Sequence, residues 1–301
     1  MPASPLTESE NITLVSAIPS SRLIHDWKET FQIDITGELS GCEEIYLYQC
    51  NQTKLLFFEP SSVTGSGWLY KQLQKFDWFY MPDKWEHQIA LQDLKGCRDV
   101  LEVGCAFGSF VEAGLTAGLN IQGIELNQAA VEAAQGKDLP VENLDLQEYA
   151  DAYPNSLDAL CSFQVLEHVP NPKQFLSWSL QALKVNGKLI ICVPNSESFL
   201  KHQYNLLDMP PHHMLKWSEI AFRSLEKIFP VRLERVEREP LMSYHVSGYL
   251  NAYSNYFRSR NQLNRLLFNR HTLRFYEKVL QLGLRKYVTG QSLYVQFRKL
   301  S

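Results

Sequence analysis

The chain has 301 residues, of which 45% are hydrophobic and 21% charged. That composition belongs to a globular protein able to bury a core, and it excludes a disordered or fibrous chain. The formal net charge of -4 gives no global reason to expect a nucleic-acid partner. The start, Met1 to Pro5, lacks the basic flank and apolar core of a secretory leader, and no apolar run reaches the ~18–20 residues that span a bilayer, so the expected location is cytoplasmic.

In chain order, residues 1–20 are rich in Ser, Pro and Thr and are expected to be poorly ordered at their start. Short alternating strands are expected over 31–35, 44–50 and 55–58, followed by a loop over 61–67. An aromatic cluster comes next: Trp68, Tyr70, Phe76, Trp78, Phe79, Tyr80 and Trp85. It reads either as a small cap packed on a larger sheet or as a lid over a ligand. From residue 95 the pattern alternates strand and helix, with strands at 98–103, 120–125, 139–144, 157–163, 187–193 and 231–236 and helices at 107–118, 127–135, 172–184 and 216–228. That alternation predicts an α/β fold, a parallel sheet with helices on both faces. A further alternating strand stands at 292–297, after a 239–289 segment long enough to be a helical element of its own. The organisation expected is therefore a cap over 1–94, a core over 95–238, a helical insertion over 239–289 and a last core strand in 290–301.

The insertion is basic. Between Phe257 and Lys286 stand Arg258, Arg260, Arg265, Arg270, Arg274, Lys278, Arg285 and Lys286 against Glu277 alone, with leucines at 263, 266, 267, 273 and 280 between them. Such a stretch suits an anionic membrane surface or a phosphorylated ligand, or is a solvated face whose apolar side packs on the domain. Of the six cysteines, those at 97, 105, 161 and 192 fall in or beside core strands and read as small buried hydrophobes.

The run from Asp99 to Phe110 is the most informative. Val100, Leu101 and Val103 have strand composition, Gly104 ends the strand, and a helical pattern through Phe107, Phe110, Val111 and Leu115 follows. A strand entering a glycine turn at a helix start is how α/β proteins hold a nucleotide-like ligand. Glu125, twenty-one residues beyond Gly104, ends a second apolar run, where a carboxylate is placed for a ribose diol. The dinucleotide pattern Gly-x-Gly-x-x-Gly fails at Ala106 and Ser109, which argues against a nicotinamide dehydrogenase.

With Glu102, Gly104, Ala106 and Gly108, the run instead resembles motif I of class I S-adenosylmethionine (SAM)-dependent methyltransferases. The resemblance continues in order and spacing through 123–127, 143–146, 161–172 and 183–188, and spans roughly 97–238. It implies a Rossmann-like sheet of seven strands, the last antiparallel, and SAM as cofactor. It further implies that Gly104, Cys105, Ala106 and Gly108 pass beneath the cofactor, Glu102 orients that turn or holds the amino group through water, and Glu125 with Leu126 takes the ribose. Asp145 would meet the adenine amino group with Leu146 beside the ring, Phe163 and Gln164 would face the methionine end, and Tyr80 with 84–86 would cross the pocket. Some sugar-modifying relatives carry an N-terminal zinc module of paired cysteines; with Cys42 and Cys50 alone, this chain is not expected to keep that metal.

Two histidine sites could carry chemistry. Glu167–His168 admits three readings: a cation site, an acid/base group, or a structural hydrogen bond. Ubiquinone-biosynthesis O-methyltransferases and certain RNA 2′-O-methyltransferases hold a divalent cation with Glu-x-x-Glu-His. Here Gln164 replaces the first carboxylate, so no metal is expected. The loop 208–217 carries two prolines, then His212 and His213, and resembles bacterial methyltransferases of glycan and cell-surface biosynthesis. A neutral histidine there could take a hydroxyl proton as the methyl transfers. The function expected is methyl transfer to a small-molecule or glycan-type acceptor, an anionic one if the insertion grips it. The alternatives are a non-catalytic SAM-binding or scaffold protein, and an enzyme acting on a lipid-linked or nucleic-acid acceptor. Nucleic acid is disfavoured because the Asn/Asp-Pro-Pro-aromatic motif is absent.

Overall fold

The computed structural model describes residues 2–76, 79 and 84–301. Tyr80, with Trp78, lies outside the described residues. Two sheets organise the chain.

The N-terminal region builds β1 (Ile12–Pro19), α1 (Ser20–Phe31), β2 (Glu44–Cys50), β3 (Leu56–Glu59), α2 (Gly67–Leu73) and α3 (Trp85–Asp93). The core follows as β4 (Asp99–Val103), α4 (Ser109–Thr116), β5 (Asn120–Ile124), α5 (Gln128–Gln135), β6 (Val141–Glu142), α6 (Leu146–Ala152), β7 (Leu157–Phe163), α7 (Pro172–Ala182) and β8 (Leu183–Pro194). Then come β9 (Leu215–Lys216), α8 (Glu219–Arg223), β10 (Val231–Pro240), the helices α9 (Val246–Arg258), α10 (Gln262–Leu267) and α11 (Arg270–Gln281), and finally β11 (Thr289–Lys299).

The main sheet has seven strands in the order β10-β11-β8-β7-β4-β5-β6. The five from β8 to β6 are parallel, and β11 runs antiparallel between β8 and β10. This is the Rossmann-like methyltransferase sheet expected from the sequence. Alternation along the strands divides the core. Leu189, Ile191 and Val193 enter one apolar cluster, and Ile190 and Cys192 enter the other on the opposite face. Both faces are covered, as a parallel sheet requires.

β8 begins at Leu183, not after the Asn186–Gly187 turn, because the turn is absorbed as a bulge: Leu157 pairs with Leu183 and Ala159 with Lys188.

The N-terminal region departs more. Residues 12–19 form a strand, and Phe31 closes a helix rather than opening a strand. Leu23 and Trp27, four apart, form one buried stripe of α1. Ile33 and Ile35 are buried in the irregular segment that follows rather than in a strand. The four-stranded antiparallel sheet β1-β2-β3-β9 is completed from far along the chain, with Phe57 of β3 opposite Leu215 of β9. Its apolar side joins the same cluster as Leu101, Leu160 and Trp217, so the cap and the core share one interior. The 239–289 segment is helical as expected, and Leu241, Val246, Leu250 and Ala252 pack with Phe199 and Leu200 in a third cluster. Among the described residues no helix is long and apolar enough to cross a membrane.

Candidate functional site

The carboxyl ends of β4 and β5 meet at a tightly wound turn. Gly104, Ala106 and Gly108 all take positive φ, at 73°, 47° and 75°. A Cβ on Gly104 would stand 2.4 Å from Val165 Cγ2, so this position requires glycine for space as well as for conformation. Gly108 is the N-cap of α4. Ala106, which has a Cβ, is held in its left-handed conformation by Glu125: its amide donates to Oε2 at 3.0 Å, while the amide of Asn127 donates to Oε1 at 2.8 Å. Each carboxylate oxygen thus accepts one bond and keeps lone-pair capacity for a diol. Asn143 Nδ2 donates to the carbonyls of Glu125 and Leu126, and the Leu126 side chain is 73% exposed beside them.

Beneath the turn lies Glu102. It is buried, its Oε2 has no hydrogen-bond partner, and burial pushes its proton affinity up to about 8. Cys105 packs inward against Gly123, leaving backbone to face the crevice. Asp145 caps α6 by accepting from the Glu148 amide at 2.8 Å, and Leu146 is buried behind it. Phe163 is also buried, packed edge-on to Phe110 and against His87. Gln164 takes φ 57°, and its amide nitrogen donates to Glu86. A glycine cradle closed to a Cβ, a buried acid with an unpartnered oxygen and a carboxylate with spare acceptor capacity fit an adenosyl amino-acid cofactor.

Val165, against Gly104, begins the second half of the site. The turn after β7 carries Glu167 and His168, and the loop before β9 brings His212 and His213 beside them. The Glu167 carbonyl accepts from the Met214 and Leu215 amides at 2.9 and 3.0 Å, and the Met209 carbonyl accepts from both histidine amides. The three imidazoles form one cluster, with ring centres 4.4–4.7 Å apart and His212 stacked on His213.

Each imidazole has Nδ1 facing an acceptor. His168 Nδ1 donates to the His212 carbonyl at 2.6 Å, His212 Nδ1 to the Leu207 carbonyl at 2.8 Å, and His213 Nδ1 faces Asp208 Oδ1 at 3.4 Å. The Tyr70 hydroxyl lies 3.1 Å from His168 Nδ1. Those partners fix the proton on Nδ1 and leave the three Nε2 atoms as acceptors. Glu167 Oε1 lies 4.0 Å from Nε2 of both His168 and His213, and neither of its oxygens has a hydrogen-bond donor.

Burial holds His168 down to about 4 and pushes His212 and His213 well below the ordinary imidazole value. It raises Glu167 to about 8, and raises Asp208 despite its ion pair with Lys216.

A family model described as a methyltransferase domain matches residues 78–299. The chain belongs to that family. The cofactor of this methyltransferase is SAM. Ubiquinone biosynthesis O-methyltransferase of Thiobacillus denitrificans is 28% identical over 149 residues, covering 47% of this chain and 63% of the relative. Its namesake in Dechloromonas aromatica is 28% identical over 167 residues, covering 50% of this chain and 72% of the relative. The chain thus spans less than two thirds of the first of these. A Haloferax volcanii methyltransferase solved with the Trm112 methyltransferase activator aligns at a TM-score of 0.50 and 14% identity, covering 72% of this chain and 90% of that one, which is a likeness of fold.

In this methyltransferase the turn residues Gly104, Ala106 and Gly108 come together with Glu102 and Glu125 as the sequence suggested, and the three histidines meet. Phe163 and Cys105 turn their side chains into the core. Asp208 opens the loop 208–217 that the sequence marks, but the sequence reading gives it no role, although its place four residues before His212 is a local signal. Tyr70 stood only in the aromatic cluster, and nothing in the sequence pairs it with His168.

Proposed function

We propose that this methyltransferase moves the SAM methyl group to a hydroxyl oxygen of a small-molecule acceptor. SAM supplies an electrophilic methyl on a sulfonium, so the protein's work is binding, alignment and proton removal. Glu125 takes the ribose hydroxyls, Glu102 and the turn 104–108 hold the amino-acid end, and Asp145 and Leu146 border the base. The imidazole cluster receives the acceptor proton. His168, with 19% of its side chain exposed, is its most open member, and the stacked pair His212 and His213 backs it. The observation that carries this reading is the contact between Gly104 and Val165, which sets the cofactor turn against the turn bearing Glu167 and His168. The relatives in Thiobacillus denitrificans and Dechloromonas aromatica are O-methyltransferases, which supports an oxygen acceptor. The test is native mass spectrometry for co-purified SAM or its demethylated product, followed by turnover assays on phenolic, nucleotide-sugar and glycolipid acceptors.

A second reading, a non-catalytic SAM-binding protein, is favoured by the burial of His212 and His213 at 6% and 7% exposure. SAM binding without turnover across that panel would select it. The insertion offers a further contact. Leu266, Phe275 and Leu282 are 69%, 63% and 88% exposed among its arginines, and Arg258, Arg270 and Arg274 line one groove with Glu277. This supports an anionic lipid surface or an anionic acceptor as partner.

A further inference from the structure

Two adjoining grooves run along α9, and their walls include neither the cofactor turn nor the imidazole cluster. The larger, of about 780 Å³, lies between α1, the segment 202–206 and α9. That is room for a small ligand. Its walls are braced. The Tyr204 hydroxyl donates to Asp26 at 2.7 Å, with the Arg22 guanidinium 4.4 Å from the centre of its ring. Gln203 Nε2 donates to the Gly248 carbonyl at 2.7 Å. The segment 202–206 is thereby tied to α1 on one side and to α9 on the other, so the groove is formed before any ligand arrives.

The lining is polar, at helical spacing. Arg22, Asp26 and Glu29 share one face of α1, and Asn251 and Asn255 stand one turn apart on α9. Among the described residues, the side chains of Glu29, Asn251 and Asn255 make no hydrogen bond, and Asn205 uses only its Oδ1, which accepts from the Leu207 amide at 3.1 Å. Amides that both donate and accept, beside carboxylates that accept, match hydroxyl groups, each of which is donor and acceptor at once. Phe31 and the Tyr204 ring supply apolar faces for the C–H side of a sugar ring.

The smaller groove, of about 290 Å³, continues from the first, for Asn251 lines both. Arg258, Arg270 and Arg274 line it against Glu277 alone, and among the described residues none of the three arginines has an ion-pair partner. Three guanidiniums beside one carboxylate attract an anion, and their planar forks fit phosphate oxygens. The larger groove sets Asp26 and Glu29 against Arg22, so it disfavours a bare anion and suits a neutral polyol. The two chemistries are close: at the helical rise, Arg258 lies about 10 Å along α9 from Asn251.

We propose that the two grooves hold a single ligand, a saccharide bearing a phosphate, with its hydroxyls between α1 and α9 and its phosphate on the arginines. The buried residue of the larger groove is Leu206, and the carbonyl of the next residue, Leu207, accepts from His212 Nδ1 at 2.8 Å. The saccharide end is thus set toward the imidazole cluster. That this molecule is the methyl acceptor rests on the proposed function; that it binds does not.

The experiment is calorimetry on the full chain with no cofactor added, so that no turnover intervenes. Glucose, galactose and mannose 1-phosphates are titrated beside the free hexoses and inorganic phosphate. At least one ester should bind about tenfold or more tightly than both its hexose and phosphate, since it engages both grooves. Arg258→Gln with Arg274→Gln should lower it to the affinity of the hexose, and Glu29→Ala with Asn255→Ala to that of phosphate. All four side chains are exposed, so the variants should fold and keep SAM affinity, which circular dichroism and a separate SAM titration check. Phosphatidylcholine vesicles carrying phosphatidylinositol, or phosphatidylglycerol at equal charge, distinguish the source. Preference for the inositol headgroup marks a lipid-borne polyol phosphate, and binding of the soluble esters alone marks a free one. An ester affinity no better than that of phosphate together with equal binding to the two vesicles, or full affinity in either folded double variant, overturns the proposal. Protein that binds an ester yet does not methylate it with SAM overturns its role as acceptor and leaves the binding site standing.

Discussion

The amide of Ala106 donates to Glu125 Oε2 at 3.0 Å, so the carboxylate at the end of β5 also holds the turn that leaves β4. One side chain therefore shapes the floor of the crevice and offers the acceptor for the ribose.

Glu125→Ala should lose SAM affinity by at least roughly tenfold, because a charged hydrogen-bond acceptor contributes about 1.5–3 kcal/mol. It should also release Ala106 from its left-handed conformation. Titration calorimetry reads the first effect, and faster amide exchange at residues 104–108 reads the second. Unchanged affinity would remove Glu125 from the ribose.

Gly104→Ala places a Cβ at 2.4 Å from Val165 Cγ2 at a φ of 73°. The variant should fold with a loss on the order of 1–3 kcal/mol and bind SAM poorly. Adding Val165→Ala should recover part of the stability, since it removes the collision but not the dihedral cost. Chemical denaturation of the single and double variants separates the two.

Glu102 gives the unliganded protein a pH dependence of definite sign. In the unfolded chain its carboxyl loses the proton near 4.5, and in the fold burial holds it to about 8. Between those values the folded state binds more protons, so stability falls as pH rises through the interval. Glu102→Gln should flatten that decline. Melting temperatures at pH 5 and pH 8 check it, and an identical slope in the variant would count against the assignment.

Phe57→Ala should destabilise the fold by about 3–5 kcal/mol, as expected for a buried ring. Phe57 is 1% exposed and stands opposite Leu215, so the loop that carries His212 and His213 should loosen with it. Urea midpoints give the energy, and histidine side-chain NMR signals report the loop.

The insertion should bring the protein to vesicles of anionic lipid in a salt-sensitive manner, with Leu282→Asp and Phe275→Asp reducing the bound fraction. Co-sedimentation at low and high salt measures this. Binding that ignores salt would exclude the arginines as its cause.

The strand, glycine turn and helix at 99–116, the carboxylate at 125 and the helical insertion were all legible because their signals are local: an apolar run, a residue that tolerates positive φ, a spacing. The N-terminal region was less legible. Ile33 and Ile35 alternate like a strand, yet both are buried in an irregular segment, where tertiary packing decides their place. β9 is two residues long and exists only because β3 offers it an edge. The cluster was half visible. His212 and His213 announce themselves, but their meeting with Glu167 and His168 depends on two loops of different strands arriving at one end of the sheet. Asp145 illustrates a residual ambiguity of sequence, since the aspartate that suits an adenine amino group also serves as a helix cap, and in the fold it is one.

The pairing of Leu215 with Phe57 bears on how the protein can be dissected. The residues matched by the family domain start at 78, after β3. A fragment trimmed to that boundary would leave β9 without its partner strand and strip the apolar lining from beneath Trp217. Expression of such a minimal catalytic piece should therefore yield material with an intact cofactor turn but a slack histidine loop, and an assay on it would underestimate what the whole chain can do.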